Sequence, residues 1–119
     1  MSTAALALDP KALADTPMPM VTLGKSGLKV SKFTLGGFHM AVKGEEEGIR
    51  IIHRAMDLGV TFFDSAHKYH NGRSDEIYGK ALEGGRRQKV LLMSKAEKRD
   101  RDTAMKQLED TLRRMKTDY

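Results

Sequence analysis

The sequence contains no cysteine, and this absence limits the chemistry that the chain can perform. Without thiols it forms neither disulfides nor thiolate metal sites. No apolar run approaches the roughly 20 residues that a helix needs to cross a bilayer. Residues 1–20 also lack a basic start followed by an apolar stretch, which argues against a secretory signal. We therefore expect a soluble, cytoplasmic protein that is not associated with a membrane.

The distribution of charge argues against nucleic-acid binding. The net charge is +5, but residues 1–85 carry ten basic and ten acidic side chains, whereas residues 86–119 carry eleven and six. A surface that binds nucleic acid would place aromatic side chains among its basic ones for stacking. The basic segment contains one aromatic residue, Tyr119, and its acids are interspersed. This pattern favours a solvated helix face, and we expect no nucleic-acid partner.

The first third of the chain predicts a leader, a hairpin and a short strand. Residues 1–19 contain all three prolines and show no sustained period, so we expect a loosely ordered leader. Residues 21–23 and 28–30 are short segments separated by a turn at residues 24–27 that contains two glycines, which is typical of a β-hairpin. Residues 33–35 then form a further predicted strand that ends at two glycines.

Three predicted helices follow, each after a strand. The first begins at the acids Glu45, Glu46 and Glu47, which the helix dipole favours, and Gly59 suits its C-terminal cap. Ser74 is the expected N-cap of the second, which Gly84 and Gly85 end. The third is predicted over residues 102–116, from the helical spacing of its apolar residues.

The strands between these helices, at residues 60–64 and 89–94, are short apolar runs of the kind found in buried parallel sheets. A fourth strand could begin at Asp118. The predicted order is a hairpin followed by alternating strands and helices, which is an α/β protein with right-handed crossovers. This order fits a doubly wound sheet and a barrel equally well.

An acid, a phenol and an amine follow two of these predicted strands. Asp64 and Tyr69 come after one, and Lys95 after the next. Brought together, they would form a proton-donating site in which Tyr69 is the acid and the positive charge of Lys95 favours the phenolate. Singly, Asp64 would be a strand-end residue or a helix-entry cap, Tyr69 a surface aromatic and Lys95 a solvated strand end. Their joint placement favours the catalytic interpretation.

Two other features near these residues carry weaker signals. Gly36 and Gly37 fit a plain turn as well as a close approach by a cofactor, and no G-x-G-x-x-G sequence opens a helix there. His67 and His70 flank Tyr69 and could suggest a metal pair. No third ligand lies within range by spacing, so we interpret them as loop histidines and predict no metal site.

Several of these segments resemble the aldo-keto reductases. Residues 23–31 with Leu35-Gly36-Gly37 are similar to the opening hairpin and first barrel strand of that family. Residues 59–66, with Tyr69 five positions after Asp64, resemble its strongest signature. Residues 72–82 are similar to the next helix, residues 90–95 to the strand that bears the catalytic lysine, and residues 112–119 to the run before the fourth strand. The resemblance covers residues 20–119 in the family's order.

The resemblance implies a (β/α)8 TIM barrel, of which the chain would supply the N-terminal hairpin and the first three βα units. It implies an NADPH-dependent oxidoreductase that reduces aldehydes or ketones. Tyr69 would protonate the carbonyl oxygen, with Lys95 beside it and Asp64 paired to Lys95. Gly36, Gly37 and Phe38, together with Asp64, would lie beside the cofactor NADPH. The expected partner is a small-molecule carbonyl substrate.

The chain departs from the family in what it lacks. A catalytic His at the end of the fourth strand would come beyond Tyr119, and His39, His53, His67 and His70 lie in other segments. Barrels of this class take about 250 residues, so the 119-residue chain alone is expected to be inactive. Two alternatives stay open: a cofactor-binding partner protein like the potassium-channel β subunits, which resemble this family, or a truncated fragment. The substrate and the oligomeric state do not follow from the sequence.

Overall fold

The first described element is a two-stranded antiparallel hairpin. The computed structural model describes residues 16–119, so most of the leader predicted for residues 1–19 lies outside the described part. Strands β1 (Met20–Thr22) and β2 (Lys29–Ser31) pair antiparallel. The amide of Leu23 donates to the carbonyl of Leu28 at 2.8 Å and closes the hairpin. The predicted hairpin is therefore confirmed, with each strand displaced by one residue.

Three parallel strands form the second sheet. They are β3 (Thr34–Gly36), β4 (Phe62–Asp64) and β5 (Leu91–Met93), paired in the order β3-β4-β5. Gly36 pairs with Asp64, and Asp64 with Met93, so the three strands end level with one another. Side chains that follow these ends therefore meet at one edge, as they do at the carboxyl face of a barrel.

The helices are α1 (Glu45–Asp57), α2 (Arg73–Ala81) and α3 (Arg101–Arg114). Short 3-10 turns cover Phe38–Ala41, Tyr69–Gly72 and Arg87–Lys89. The predicted glycine cap of α1 is confirmed, because Gly59 has φ of 85° and its amide donates to the carbonyl of Met56 at 2.9 Å. Helix α3 begins after Asp100, whose carboxylate accepts a hydrogen bond of 2.9 Å from the Thr103 amide.

The prediction that Ser74 caps the second helix was wrong. The N-cap is Gly72, at φ of 88°, and Ser74 is the second helical residue. Gly72 can take this left-handed conformation because it has no β-carbon. A β-carbon there would collide with the guanidinium of Arg114, which lies against the turn. The start of α2 is therefore fixed by backbone conformation, and the Ser74 hydroxyl is left for another partner.

Two predicted boundaries also differ from the structure. Helix α2 ends at Ala81, three residues before the glycine pair. Residues 118–119 are not in a strand. A strand forms only with a partner strand, and within residues 16–119 the outer edge of β5 is unpaired.

The core lies between the parallel sheet and helices α1 and α2. Phe63 of β4, Ile52 of α1, and Ile77 and Tyr78 of α2 are completely buried. Each such aliphatic or phenyl side chain contributes roughly 1.5–3 kcal/mol on burial. These contacts hold α2 against the carboxyl ends of β3 and β4. Within residues 16–119, none of the helices has the length and apolar character needed to cross a membrane.

Candidate active site

Asp64 and Lys95 form an ion pair at the carboxyl ends of neighbouring strands. Asp64 is the last residue of β4, and its Oδ1 accepts a hydrogen bond from Nζ of Lys95, two residues beyond β5. Backbone pairing between the segments that follow β4 and β5 continues past the strands, because the Ser65 amide donates to the carbonyl of Met93 at 2.7 Å. The His67 amide likewise donates to the carbonyl of Lys95 at 3.0 Å. These backbone bonds hold the ion pair in register.

Tyr69 lies beside this ion pair. It begins the 3-10 turn Tyr69–Gly72, and its amide donates to the carbonyl of Ala66 at 3.0 Å. The ammonium of Lys95 lies 5.3 Å from the centre of the Tyr69 ring, a cation–π distance. The structure thus brings Asp64, Tyr69 and Lys95 into one cluster at the edge where the parallel strands end.

Phe38 packs against the other side of Tyr69. The two rings meet edge to face with their centres 5.2 Å apart, and the side chain of Phe38 is half exposed. Nε2 of His70 lies 2.6 Å from the carbonyl oxygen of Phe38 and donates to it. His70 adopts a left-handed φ of 50°, which carries its ring back over Phe38. His70 is therefore a loop residue that ties the Tyr69 turn to the end of β3.

The two glycines at the end of β3, Gly36 and Gly37, have different surroundings. A β-carbon at Gly36 would have no described atom within 4 Å, so the backbone is open there. A β-carbon at Gly37 would lie 2.5 Å from the Asp64 carbonyl oxygen and 2.9 Å from both Ser74 Oγ and Tyr78 Cε2. The missing side chain of Gly37 therefore serves internal packing, whereas Gly36 leaves room on the open side of the strand ends.

An ionic cluster anchors the Tyr69 loop to helix α3. Nε2 of His67 lies 3.0 Å from Oδ2 of Asp110, and the same oxygen is 2.8 Å from the guanidinium of Arg114. Burial alone would raise the pKa of Asp110, but the hydrogen bond from His67 and the charge of Arg114 hold that pKa below its usual value. Asp110 is therefore a carboxylate at neutral pH and binds both the imidazole of His67 and the guanidinium of Arg114.

Tyr78 is excluded as a second proton donor. It is buried in α2, and its hydroxyl lies 3.3 Å from the carbonyl oxygen of Leu35 and 3.4 Å from that of Asp64. Burial, with the charges of Asp64 and Asp75, raises the pKa of Tyr78 far above its ordinary value. Of the two tyrosines near the strand ends, Tyr69 is partly exposed and Tyr78 is completely buried.

Sequence reasoning missed a buried polar network behind the ion pair. Asp75 is completely buried, and its two carboxylate oxygens accept hydrogen bonds from the hydroxyls of Ser65, at 2.6 Å, and Thr111, at 2.9 Å. Ser74, which was predicted as a cap, donates instead to the carbonyl of Gly37 at 2.8 Å. The sequence signal for this network is the acid directly after Ser74, in a helix that packs against the end of β4. A buried acid at that position needs hydroxyl groups as hydrogen-bond partners.

The profile of the Aldo/keto reductase family matches residues 32–119. This chain belongs to the aldo-keto reductase family. Aldo-keto reductase dtxS3 of Metarhizium robertsii is 39% identical over 94 residues, which are 71% of this chain and 25% of that protein. A Schizosaccharomyces pombe protein named as a voltage-gated potassium channel β subunit is 42% identical over 71 residues, 55% of this chain and 20% of that protein.

The solved structures agree on the fold. The holo form of an aldo-keto reductase from Bacillus halodurans superposes with a TM-score of 0.77 at 30% identity, covering 86% of this chain and 38% of that one. The hairpin and the three βα units are therefore the beginning of a (β/α)8 barrel. The predicted family and fold class are confirmed, and the family is one of oxidoreductases. The chain spans about a quarter of the length of the first curated relative it matches.

Proposed function

We propose that this protein is an NADPH-dependent oxidoreductase that reduces aldehydes or ketones, with Tyr69 as the proton donor. The observation that carries the proposal is the Asp64–Lys95 ion pair at the strand ends, with the ammonium 5.3 Å from the Tyr69 ring. A carbonyl that accepts hydride develops negative charge on its oxygen, which requires a nearby donor. The phenol of Tyr69 can be that donor, because it lies at the strand ends beside the Asp64–Lys95 ion pair.

The three residues have separate roles in this proposal. Tyr69 gives its hydroxyl proton to the substrate oxygen, and Lys95 stabilises the phenolate that remains. Asp64 fixes the ammonium of Lys95 through their ion pair, because an unpaired lysine on a flexible stem would occupy many positions. Positioning of this kind matters, since a displacement of about 1 Å can cost roughly 100-fold in rate.

In this proposal the strand ends bind one face of a nicotinamide cofactor. We assign Gly36, Gly37, Phe38 and Asp64 to this contact: Gly36 leaves open space, and Phe38 offers a half-exposed aromatic face. Gly37 contributes by letting β3 approach the Asp64 carbonyl. The bound cofactor would supply the hydride, and the residues of this chain would orient it and donate the proton.

A second candidate is a cofactor-binding partner protein on the same scaffold. The relative from Schizosaccharomyces pombe, named as a channel β subunit, supports this alternative. Fold alone does not separate the two functions, because one scaffold hosts many activities. A partner protein of this kind would bind NADPH yet turn over slowly with every carbonyl compound.

The test is NADPH oxidation by the full-length product of the gene, followed by absorbance with a simple aromatic aldehyde as substrate. Tyr69→Phe is expected to lower kcat by about 100-fold or more, the contribution typical of a positioned general acid. Tyr119→Phe is the matched control, because Tyr119 is largely exposed and its ring lies against Arg87, in the turn before β5, and it should keep full activity.

Three results are informative. Undiminished activity in Tyr69→Phe would refute the proton-donor assignment. Tight NADPH binding with negligible turnover of all carbonyl compounds would favour the partner protein. Residues 1–119 expressed alone are expected to show no turnover, because they span about a quarter of the length of the first curated relative.

A further inference from the structure

Asp75 is a completely buried carboxylate outside the proposed catalytic cluster. Among the described residues it forms no ion pair, and its partners are the hydroxyls of Ser65 and Thr111. Burying a carboxylate is unfavourable unless hydrogen bonds compensate for lost hydration. Asp75 lies in the first turn of α2, where the helix dipole favours a negative charge. These contacts offset the free-energy cost of burying the carboxylate, and they do not by themselves give it a role in the protein.

One of the two hydroxyl partners leads directly to the ion pair. Ser65 is the residue after Asp64, and its side chain donates to Asp75 Oδ1 at 2.6 Å. Its amide donates to the carbonyl of Met93 at 2.7 Å. Ser65 is thus held from two directions, by α2 through its hydroxyl and by β5 through its backbone. The orientation of the peptide that carries Asp64 depends on both bonds.

The same turn of α2 also holds the end of β3. Ser74 Oγ donates to the carbonyl of Gly37 at 2.8 Å and lies 3.3 Å from Ser65 Oγ. All three side chains, those of Ser65, Ser74 and Asp75, are completely buried. A single polar network therefore connects the first turn of α2 to the ends of β3 and β4.

The second partner of Asp75 leads away from the site. Thr111 is buried on helix α3, and its hydroxyl donates to Oδ2 at 2.9 Å. This bond joins two helices and does not touch a strand end. The two hydrogen bonds to the Asp75 carboxylate are therefore similar in length and burial, but only the bond from Ser65 reaches a strand end. The bond from Thr111 can serve as a control for the loss of a hydrogen bond alone.

We infer that Asp75, acting through Ser65, is a positioning residue that orients the Asp64–Lys95 ion pair, whereas its bond to Thr111 only stabilises helix packing. The inference rests on the proposed function for its kinetic consequence. Its structural consequence, a backbone clamp at Ser65, can be measured without any substrate.

The experiment compares Ser65→Ala with Thr111→Val in the full-length protein. Each variant removes one hydroxyl donor from the same buried carboxylate, so similar losses of thermal stability are expected. Ser65→Ala should lower kcat by at least about tenfold with KM changed by less than about twofold, because geometry at the reacting groups is lost. Thr111→Val should keep kcat. Should Ser65→Ala not fold, Ser65→Cys keeps the volume and weakens the bond, and a smaller loss of kcat is expected.

Amide hydrogen exchange is the second readout. Exchange at residue 65 and at His67 should accelerate in Ser65→Ala relative to Thr111→Val, because both amides donate across to β5 or the residues after it. Equal kcat and equal exchange in the two variants would overturn the inference. If the wild-type protein reduces no carbonyl compound, the proposed function fails, and the exchange comparison alone decides whether Asp75 positions this strand end.

Discussion

Among single residues, Lys95 is the one whose replacement should affect catalysis most and stability least. Its side chain is 43% exposed, so Lys95→Met should change the free energy of unfolding by less than about 0.5 kcal/mol. The same change removes the ammonium beside the Tyr69 ring and leaves Asp64 without its partner, so kcat/KM for an aldehyde should fall by about 100-fold or more.

Steady-state kinetics and a thermal melt of Lys95→Met check this pair of expectations. Lys106→Met removes an exposed lysine from α3 and should leave both measurements unchanged. A Lys95→Met protein that reduces aldehydes at the wild-type rate would contradict the assigned role.

The glycine pair after β3 gives a second prediction for single residues. Gly37→Ala places a β-carbon against the Asp64 carbonyl and should destabilise the protein by about 1–3 kcal/mol, as overpacking does. Gly36→Ala meets open space and should change stability by less than about 0.5 kcal/mol. It should instead weaken NADPH binding, because it fills the approach to the strand end.

Urea unfolding and a fluorescence titration with NADPH separate these two effects. Equal destabilisation by both substitutions would show that Gly36 is also packed. Unchanged NADPH affinity in Gly36→Ala would remove Gly36 from the cofactor site.

At the level of elements, the contact between the Tyr69 loop and α3 should depend on pH. The pKa of Asp110 is lowered in the folded protein, so its ionised form stabilises the fold above the unfolded pKa of about 4. This contribution is lost as pH falls through the folded pKa. Asp110→Asn should therefore cost about 1 kcal/mol at pH 7, where the carboxylate binds His67 and Arg114, and less at pH 3, below the unfolded pKa.

Urea unfolding of wild type and Asp110→Asn at the two pH values measures the difference. Asp118→Asn, an exposed acid near the chain end, is the matched control and should be neutral at both. A cost for Asp110→Asn that is the same at pH 3 and pH 7 would mean that the carboxylate charge does not hold the loop.

Some boundaries of the helices and strands could be predicted from the sequence alone, and others could not. The start of α1 at its three acids and its end at Gly59 were predictable, because both signals act within the helix itself. The start of α2 was not, since it depends on a left-handed Gly72 beneath Arg114, a residue distant in sequence. Strand-end positions placed Asp64 and Lys95 correctly. The two partners of Asp75, Ser65 and Thr111, come from segments distant from it and from each other in sequence, and only the packed structure shows them.

At the level of the whole molecule, an apolar groove lies between β5 and α3. It encloses a cavity of about 350 Å³ lined by residues that include Leu92, Leu108, Leu112 and Tyr119. Leu108 is 47% exposed.

Residues 1–119 should therefore bind an apolar fluorescent dye such as ANS, and Leu108→Glu should weaken that signal. Val42→Glu changes an equally exposed apolar residue outside the groove and should have the smaller effect. Equal losses would mean that the groove is not the dye site.

We propose that Asp64, Tyr69 and Lys95 form a carbonyl-reducing site in the first part of an aldo-keto reductase barrel. The most direct measurement incubates the full-length protein with an aromatic aldehyde and NADPH deuterated at the transferable position, and analyses the alcohol by mass spectrometry. Deuterium on the carbinol carbon with the wild-type protein and Tyr119→Phe, and almost none with Tyr69→Phe, is the predicted result. No labelled alcohol from the wild-type protein with any aldehyde or ketone, despite bound NADPH, would contradict it.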